Sequence, residues 1–162
     1  MSFKRIVKKL TENKKTISTM ESCTGGEVAN AITNIEGAST VLKFSAVTYS
    51  NEFKIKMGVP KEIIDKYSVY SIETAHKMAL NISKYTSSDY GIGITGKLNR
   101  ADENNNYGKD NEVFISIYDK ENNKYFDSDI KVTENNRELN KEIVLEEIIN
   151  SLSNILKVDN KN

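Results

Sequence analysis

Apolar residues at Phe3, Ile6, Val7 and Leu10 recur at helical spacing, and the run ends at the polar turn Asn13-Lys14-Lys15. Thr16-Ile17-Ser18-Thr19-Met20 then reads as a short strand. Gly25 and Gly26 open a second helix that carries Val28, Ala29, Ile32 and Thr33 and stops before Gly37. Phe44 to Tyr49 is expected to be a buried strand. Asn51 is placed to cap a following helix through Lys54, Ile55 and Met57, which puts Lys54 at its third position. Pro60 suits the first position of a short helix over Glu62, Ile63 and Ile64, and Ser71 caps a longer one with Ala75, Met78, Ala79 and Ile82 on its apolar stripe.

Tyr90-Gly91-Ile92-Gly93-Ile94 is an apolar run between polar flanks, a third strand that delivers Thr95-Gly96 to its C-terminal end. After a loop, Val113 to Tyr118 and Lys124 to Ile130 predict an antiparallel pair joined through Glu121-Asn122-Asn123. Leu139, Ile143, Val144, Ile148, Ile149, Leu152 and Leu156 give a last helix its buried face. Strands that alternate with helices and then pair with each other predict a three-layer α/β/α domain with a mixed sheet.

The 162 residues suffice for one domain with a real core. With 23 Lys+Arg against 23 Asp+Glu there is no global field to draw the chain onto nucleic acid or an anionic membrane, so neither is an expected partner. The single cysteine, Cys23, cannot form an intramolecular disulfide, and no apolar run approaches a membrane span. The N-terminal residues have no signal-peptide core and read as an amphipathic helix, so a soluble, cytoplasmic protein is expected.

The candidate chemistry gathers at predicted strand ends, where an open α/β sheet places its ligand site. Glu21-Ser22-Cys23-Thr24-Gly25-Gly26 is too short for a P-loop and lacks its lysine. It reads either as a turn offering N–H groups and hydroxyls to an anion at a helix start, or as an ordinary strand-to-helix turn. Cys23 has no activating histidine nearby in sequence and reads as a small buried thiol. His76, the only histidine, falls between Ile72, Ala79 and Leu80 and is expected to be a partly buried packing residue.

Taken in order, Glu21-Ser22-Cys23-Thr24-Gly25-Gly26, Gly37-Ala38-Ser39, Tyr49-Ser50-Asn51-Glu52-Phe53-Lys54, Gly58-Val59 and Ile94-Thr95-Gly96 resemble the C-terminal domain of the CinA (competence/damage-inducible) family. That domain also exists as a free-standing nicotinamide-nucleotide amidase. The likeness runs from about residue 3 to 157, a single domain. It implies hydrolysis of nicotinamide mononucleotide to nicotinate mononucleotide and ammonia, with no metal or other cofactor. The same likeness assigns the nucleophile to Ser39, helped by Tyr49 and Lys54. Glu21, Ser22, Thr24, Gly25, Gly26, Asn51, Thr95, Gly96 and Arg137 would line the substrate site, and a homodimer is expected.

Where the family pattern continues from Thr-Gly with Ile-Ala-Gly-Pro and further glycines, this chain has Lys97-Leu98-Asn99-Arg100-Ala101-Asp102-Glu103, and Lys141 stands where a second arginine is common. Bulky and charged side chains thus replace bare backbone in that loop. Two further readings follow from this: a catalytically silent nucleotide-binding or assembly domain, and an amidase with a different substrate. Amide hydrolysis would need Lys54 as a neutral base, and the positive end of a helix favours the uncharged amine.

Overall fold

The computed structural model describes residues 2–99 and 108–158. Its elements run α1 (Lys4–Glu12), β1 (Ile17–Glu21), α2 (Glu27–Thr33), a 3₁₀ turn (Ala38–Thr40), β2 (Leu42–Val47), α3 (Asn51–Lys56), α4 (Lys61–Tyr67), α5 (Ile72–Thr86), β3 (Tyr90–Gly96), β4 (Glu112–Asp119), β5 (Lys124–Lys131) and α6 (Arg137–Ile155). The sheet has the order β2-β1-β3-β4-β5. β1 is parallel to both β2 and β3, and β4 and β5 add on as antiparallel strands. This is the mixed sheet expected from the alternation of elements.

From β1 the chain moves outward to β2 and then returns past β1 to build β3 on the other side. β1 is therefore where the direction of winding reverses, and the crevice at the carboxyl ends of β1 and its neighbours is the natural ligand position. All five residues of β1 are buried. β2 departs from the buried strand expected: Phe44 and Val47 are exposed, because an edge strand has a neighbour on one side only.

The larger core lies on the α1, α2 and α6 side, with Phe3, Ile6, Leu10, Ile17, Val28, Ile92, Ile94 and Val144 among its members. A smaller cluster of Met20, Val59, Met78 and Ile82 lies on the α5 side. α5 packs very closely on β3. A Cβ on Gly91 would fall 2.1 Å from the Ala79 carbonyl oxygen, and one on Gly93 would fall 2.3 Å from that of Ala75. The glycines of the apolar run are thus places where helix backbone meets strand backbone.

Helix starts shift by one position from the sequence reading. Ser50, not Asn51, caps α3, its Oγ accepting from the Phe53 N–H at 3.2 Å, so Lys54 is the fourth residue of the helix. Pro60 precedes α4 as its cap residue. Ser71 caps α5 as expected, accepting from the Thr74 N–H. In α6 Leu139 is 43% exposed, contrary to its expected place in the core, while Asn140 is fully buried. The Asn140 side chain accepts from the Glu134 N–H at 2.9 Å and donates to the carbonyls of Glu134 and Leu98, pinning the entry to α6 against the end of β3. His76 stacks on Tyr125 at 4.5 Å and meets Asp127 through Nε2 at 2.5 Å, tying α5 to β5. Among the described residues no helix is long and apolar enough to cross a membrane.

Gly93→Ala should lower stability by about 2 kcal/mol, since neither the helix backbone nor the strand can retreat from an added methyl. A urea titration measures this as a lower midpoint with an unchanged slope.

Candidate active site

At the end of β1 side chains alternate between the two faces. Glu21 turns toward α2. One carboxylate oxygen accepts from Thr24 Oγ1 at 2.7 Å and the Val28 N–H at 3.0 Å; the other accepts from the Ala29 N–H at 3.0 Å and Thr19 Oγ1 at 3.2 Å. Gly25 and Gly26 adopt φ values of 62° and 97°, which let the chain turn tightly enough to bring the first turn of α2 onto this carboxylate. The N–H groups of Val28 and Ala29 at the α2 N-terminus are taken by the protein's own Glu21, so Glu21 and Thr24 act as the framework of the turn.

Ser22, one residue on, projects to the opposite face, where α3 covers it. Lys54 Nζ lies 2.9 Å from Ser22 Oγ and donates to the Thr48 carbonyl at 2.7 Å. Lys54 is only 1% exposed, whereas its neighbour Phe53 is 53% exposed. A short helix that buries its lysine and exposes its phenylalanine inverts the usual arrangement. Hydrophobic burial does not account for that inversion; the contacts of the amine do. Ser22 is placed by its own N–H, which donates to the Ile94 carbonyl of β3, and Thr48 by an N–H bond to the Glu21 carbonyl. Strands β1 and β3 and the exit of β2 therefore fix the Ser22–Lys54 pair from three sides.

The pairing of Ser39 with Lys54 is not found. Ser39 is exposed in the Ala38–Thr40 turn before β2, whereas Lys54 follows the other end of that strand. Six residues of strand separate the two ends, about 20 Å. Tyr49 is 60% exposed, and its hydroxyl accepts from Arg137 Nη2 at 3.3 Å. Asn51 is the first residue of α3. Thr95 is buried and donates to the Val69 carbonyl at 2.8 Å, which anchors the segment before α5. Gly96 is a packing glycine: a Cβ there would lie 2.5 Å from the Glu112 carbonyl oxygen.

Arg137 and Tyr49 border a cavity of about 500 Å³ that Cys23, Gly25 and Lys141 also line. Lys141 Nζ sits 3.6 Å from where a Gly25 Cβ would be. Three carboxylates, Glu27, Glu138 and Glu142, share the same walls, so the cavity is not a purely cationic anion trap. Burial pushes the Cys23 thiol up to about 12, against the pull of the Lys54 and Arg137 charges. A thiol that holds its proton this tightly offers little thiolate, and its burial is what its sequence context suggested. The Thr48 hydroxyl is buried beside this site without a hydrogen-bond partner. Among the described residues no group of three or more His, Cys, Asp or Glu is arranged to hold a metal.

Sequence reasoning had Ser22 as a binding residue and missed its pairing with Lys54. The available signal was alternation along β1: Met20 and Ser22 share a face, and Met20 belongs to the cluster on the α5 side. Thr48 gave no signal at all, since its part in holding Lys54 is played by a backbone carbonyl.

Glu21→Ala should destabilise the fold by about 3 kcal/mol, because charge-assisted bonds to two buried N–H groups are lost together; chemical denaturation measures it. The folded Cys23 thiol holds its proton to a higher pH than the ordinary thiol value of 9.0. Its contribution to stability is therefore fully present below pH 9 and is lost as pH rises toward 12. Correspondingly, a thiol-specific reagent at pH 8 should label Cys23 only after denaturant is added.

The CinA C-terminal domain family matches residues 2–156. A CinA-like protein of Flavobacterium psychrophilum is 42% identical over 113 residues, covering 68% of this chain and 26% of the relative. One from Endomicrobium trichonymphae is 50% identical over 88 residues, covering 54% of this chain and 21% of that protein. The chain thus spans only about a fifth to a quarter of the length of these relatives. A CinA superfamily protein from Klebsiella pneumoniae 700603 shares the fold at TM-score 0.87 and 20% identity, covering 95% of this chain and 94% of that one. The competence/damage inducible protein CihA of Agrobacterium tumefaciens superposes at TM-score 0.80 with 26% identity, covering 94% of this chain and 90% of that one. A match over nearly all of its length, together with the same fold, makes this chain a member of the CinA C-terminal domain family.

Proposed function

We propose that this domain is an amidohydrolase in which Ser22 is the nucleophile and Lys54 its base, acting on a nucleotide amide of the nicotinamide mononucleotide type. The observation that carries this reading is the buried amine 2.9 Å from a hydroxyl at the end of the central strand. The Thr48 carbonyl can only accept, so it takes an N–H from Lys54 and fixes the amine beside the Ser22 hydroxyl.

In the reaction Lys54 takes the Ser22 proton as Oγ attacks the amide carbon, and the carbonyl electron pair moves onto oxygen. The N–H groups of Cys23 and Thr24, which donate to no backbone carbonyl among the described residues, lie next in the chain to receive that charge. Lys54 then protonates the departing nitrogen, ammonia leaves, and the acyl group remains on Ser22. Lys54 next deprotonates water, which releases the carboxylate product. Arg137 orients the Tyr49 phenol at the entrance, and a cavity of about 500 Å³ falls in the size range of small-molecule sites.

Ammonia release from nicotinamide mononucleotide tests the proposal. Ser22→Ala and Lys54→Met should each lower kcat by about a thousandfold or more, while Ser39→Ala should stay within about twofold of the parent. Full activity in Ser22→Ala would refute the assignment of the nucleophile.

A further inference from the structure

A second lysine is buried on the same face as Ser22 and has no role in the chemistry above. Lys97 directly follows β3, and its N–H continues the ladder by donating to the Glu112 carbonyl at 3.0 Å. Along this strand Gly91 and Gly93 face α5, and Thr95 turns to the Val69 carbonyl just before it. Alternation puts Lys97 on that same side, and its Nζ lies 4.8 Å from the centre of the Tyr70 ring. Ser22 lies beside Thr95 in the parallel register, because Glu21 is paired with Ile94. Lys97 therefore lies one strand over and two residues further on, roughly 7 Å along the strand direction.

The Lys97 side chain is 2% exposed, and among the described residues its Nζ has no hydrogen-bond partner. Its ion-pair partner among those residues is Asp110, whose carboxylate oxygen is 4.0 Å away, beyond hydrogen-bonding reach, on a side chain that is 63% exposed. An aromatic face attracts a cation but leaves its N–H donors without an acceptor. A buried ammonium in this condition is costly, and such groups persist where a ligand completes them. Glu21 fills the N-terminus of α2 and acidic residues share the Arg137 cavity, whereas Lys97 is, among the described residues, a buried cation on the Ser22 face with unused donors.

We propose that Lys97 Nζ binds the anionic group, a phosphate or a carboxylate, of the amide substrate on which Ser22 and Lys54 act. This rests on the amidase reading for the identity of the site. Asp110 holds the place at long range until the ligand's anion takes it. The site then selects substrates with a negative group on the α5 side of the nucleophile.

Binding to the full chain carrying Ser22→Ala tests this without turnover, so that absence of ammonia release in the parent would bear on the amidase reading alone. The probes are nicotinamide mononucleotide, the corresponding riboside that lacks phosphate, and inorganic phosphate, each titrated by calorimetry. The expected result is that Lys97→Met weakens the mononucleotide about tenfold or more and leaves the riboside unchanged, that Lys97→Arg retains binding, and that Asp110→Asn tightens both mononucleotide and phosphate. Equal mononucleotide affinity with and without Lys97, loss confined to free phosphate, or no binding by either anionic probe would overturn the proposal. If Lys97→Met does not fold, Asp110→Asn decides: unchanged affinity for both anions overturns it.

Discussion

The contact around which this end of the sheet is organised is a lysine amine held inside the protein between a backbone carbonyl and a serine hydroxyl. Everything around it serves to make that contact permanent. The β1–β3 ladder places Ser22, the exit of β2 places Thr48, and the Ser50 cap sets the start of the helix from which Lys54 reaches inward. Each restraint is an ordinary backbone or capping bond of modest net strength. Together they hold an amine inside the protein, beside a hydroxyl and out of water.

The same economy appears in the glycine turn. A helix start attracts anions, and the sequence offered it as a landing place for a substrate phosphate. The protein instead satisfies that helix with Glu21, buried and bonded to Thr24, Val28 and Ala29. The loop carrying Ser22 is thus tied down by the protein's own bonds before any ligand arrives. Preorganisation of this kind means that substrate binding need not order the nucleophile as well.

Much of the fold could be read from the chain because periodicity and capping residues speak locally. Phe3, Ile6, Val7 and Leu10, the Ser71 cap and the Gly91-Ile92-Gly93 run all report on their own immediate neighbourhoods. The site was less legible because its partners come from different elements. Ser39 precedes β2 and Ser22 follows β1, and nothing local tells which of them lies at the sheet end that Lys54 reaches. Strand direction does distinguish them, and it emerges only when the sheet is assembled. Asn140 failed the sequence reading for a related reason: a polar residue in an apolar stripe is buried only if distant carbonyls, here those of Glu134 and Leu98, are brought to it.

The bare strand backbone at Gly91 and Gly93 has a wider consequence. Because α5 presses directly on β3 there, helix and sheet form one inflexible body that ends at Gly96. The path of the helix over the sheet is thus set by two missing side chains, and any substitution that restores one must push a whole element aside.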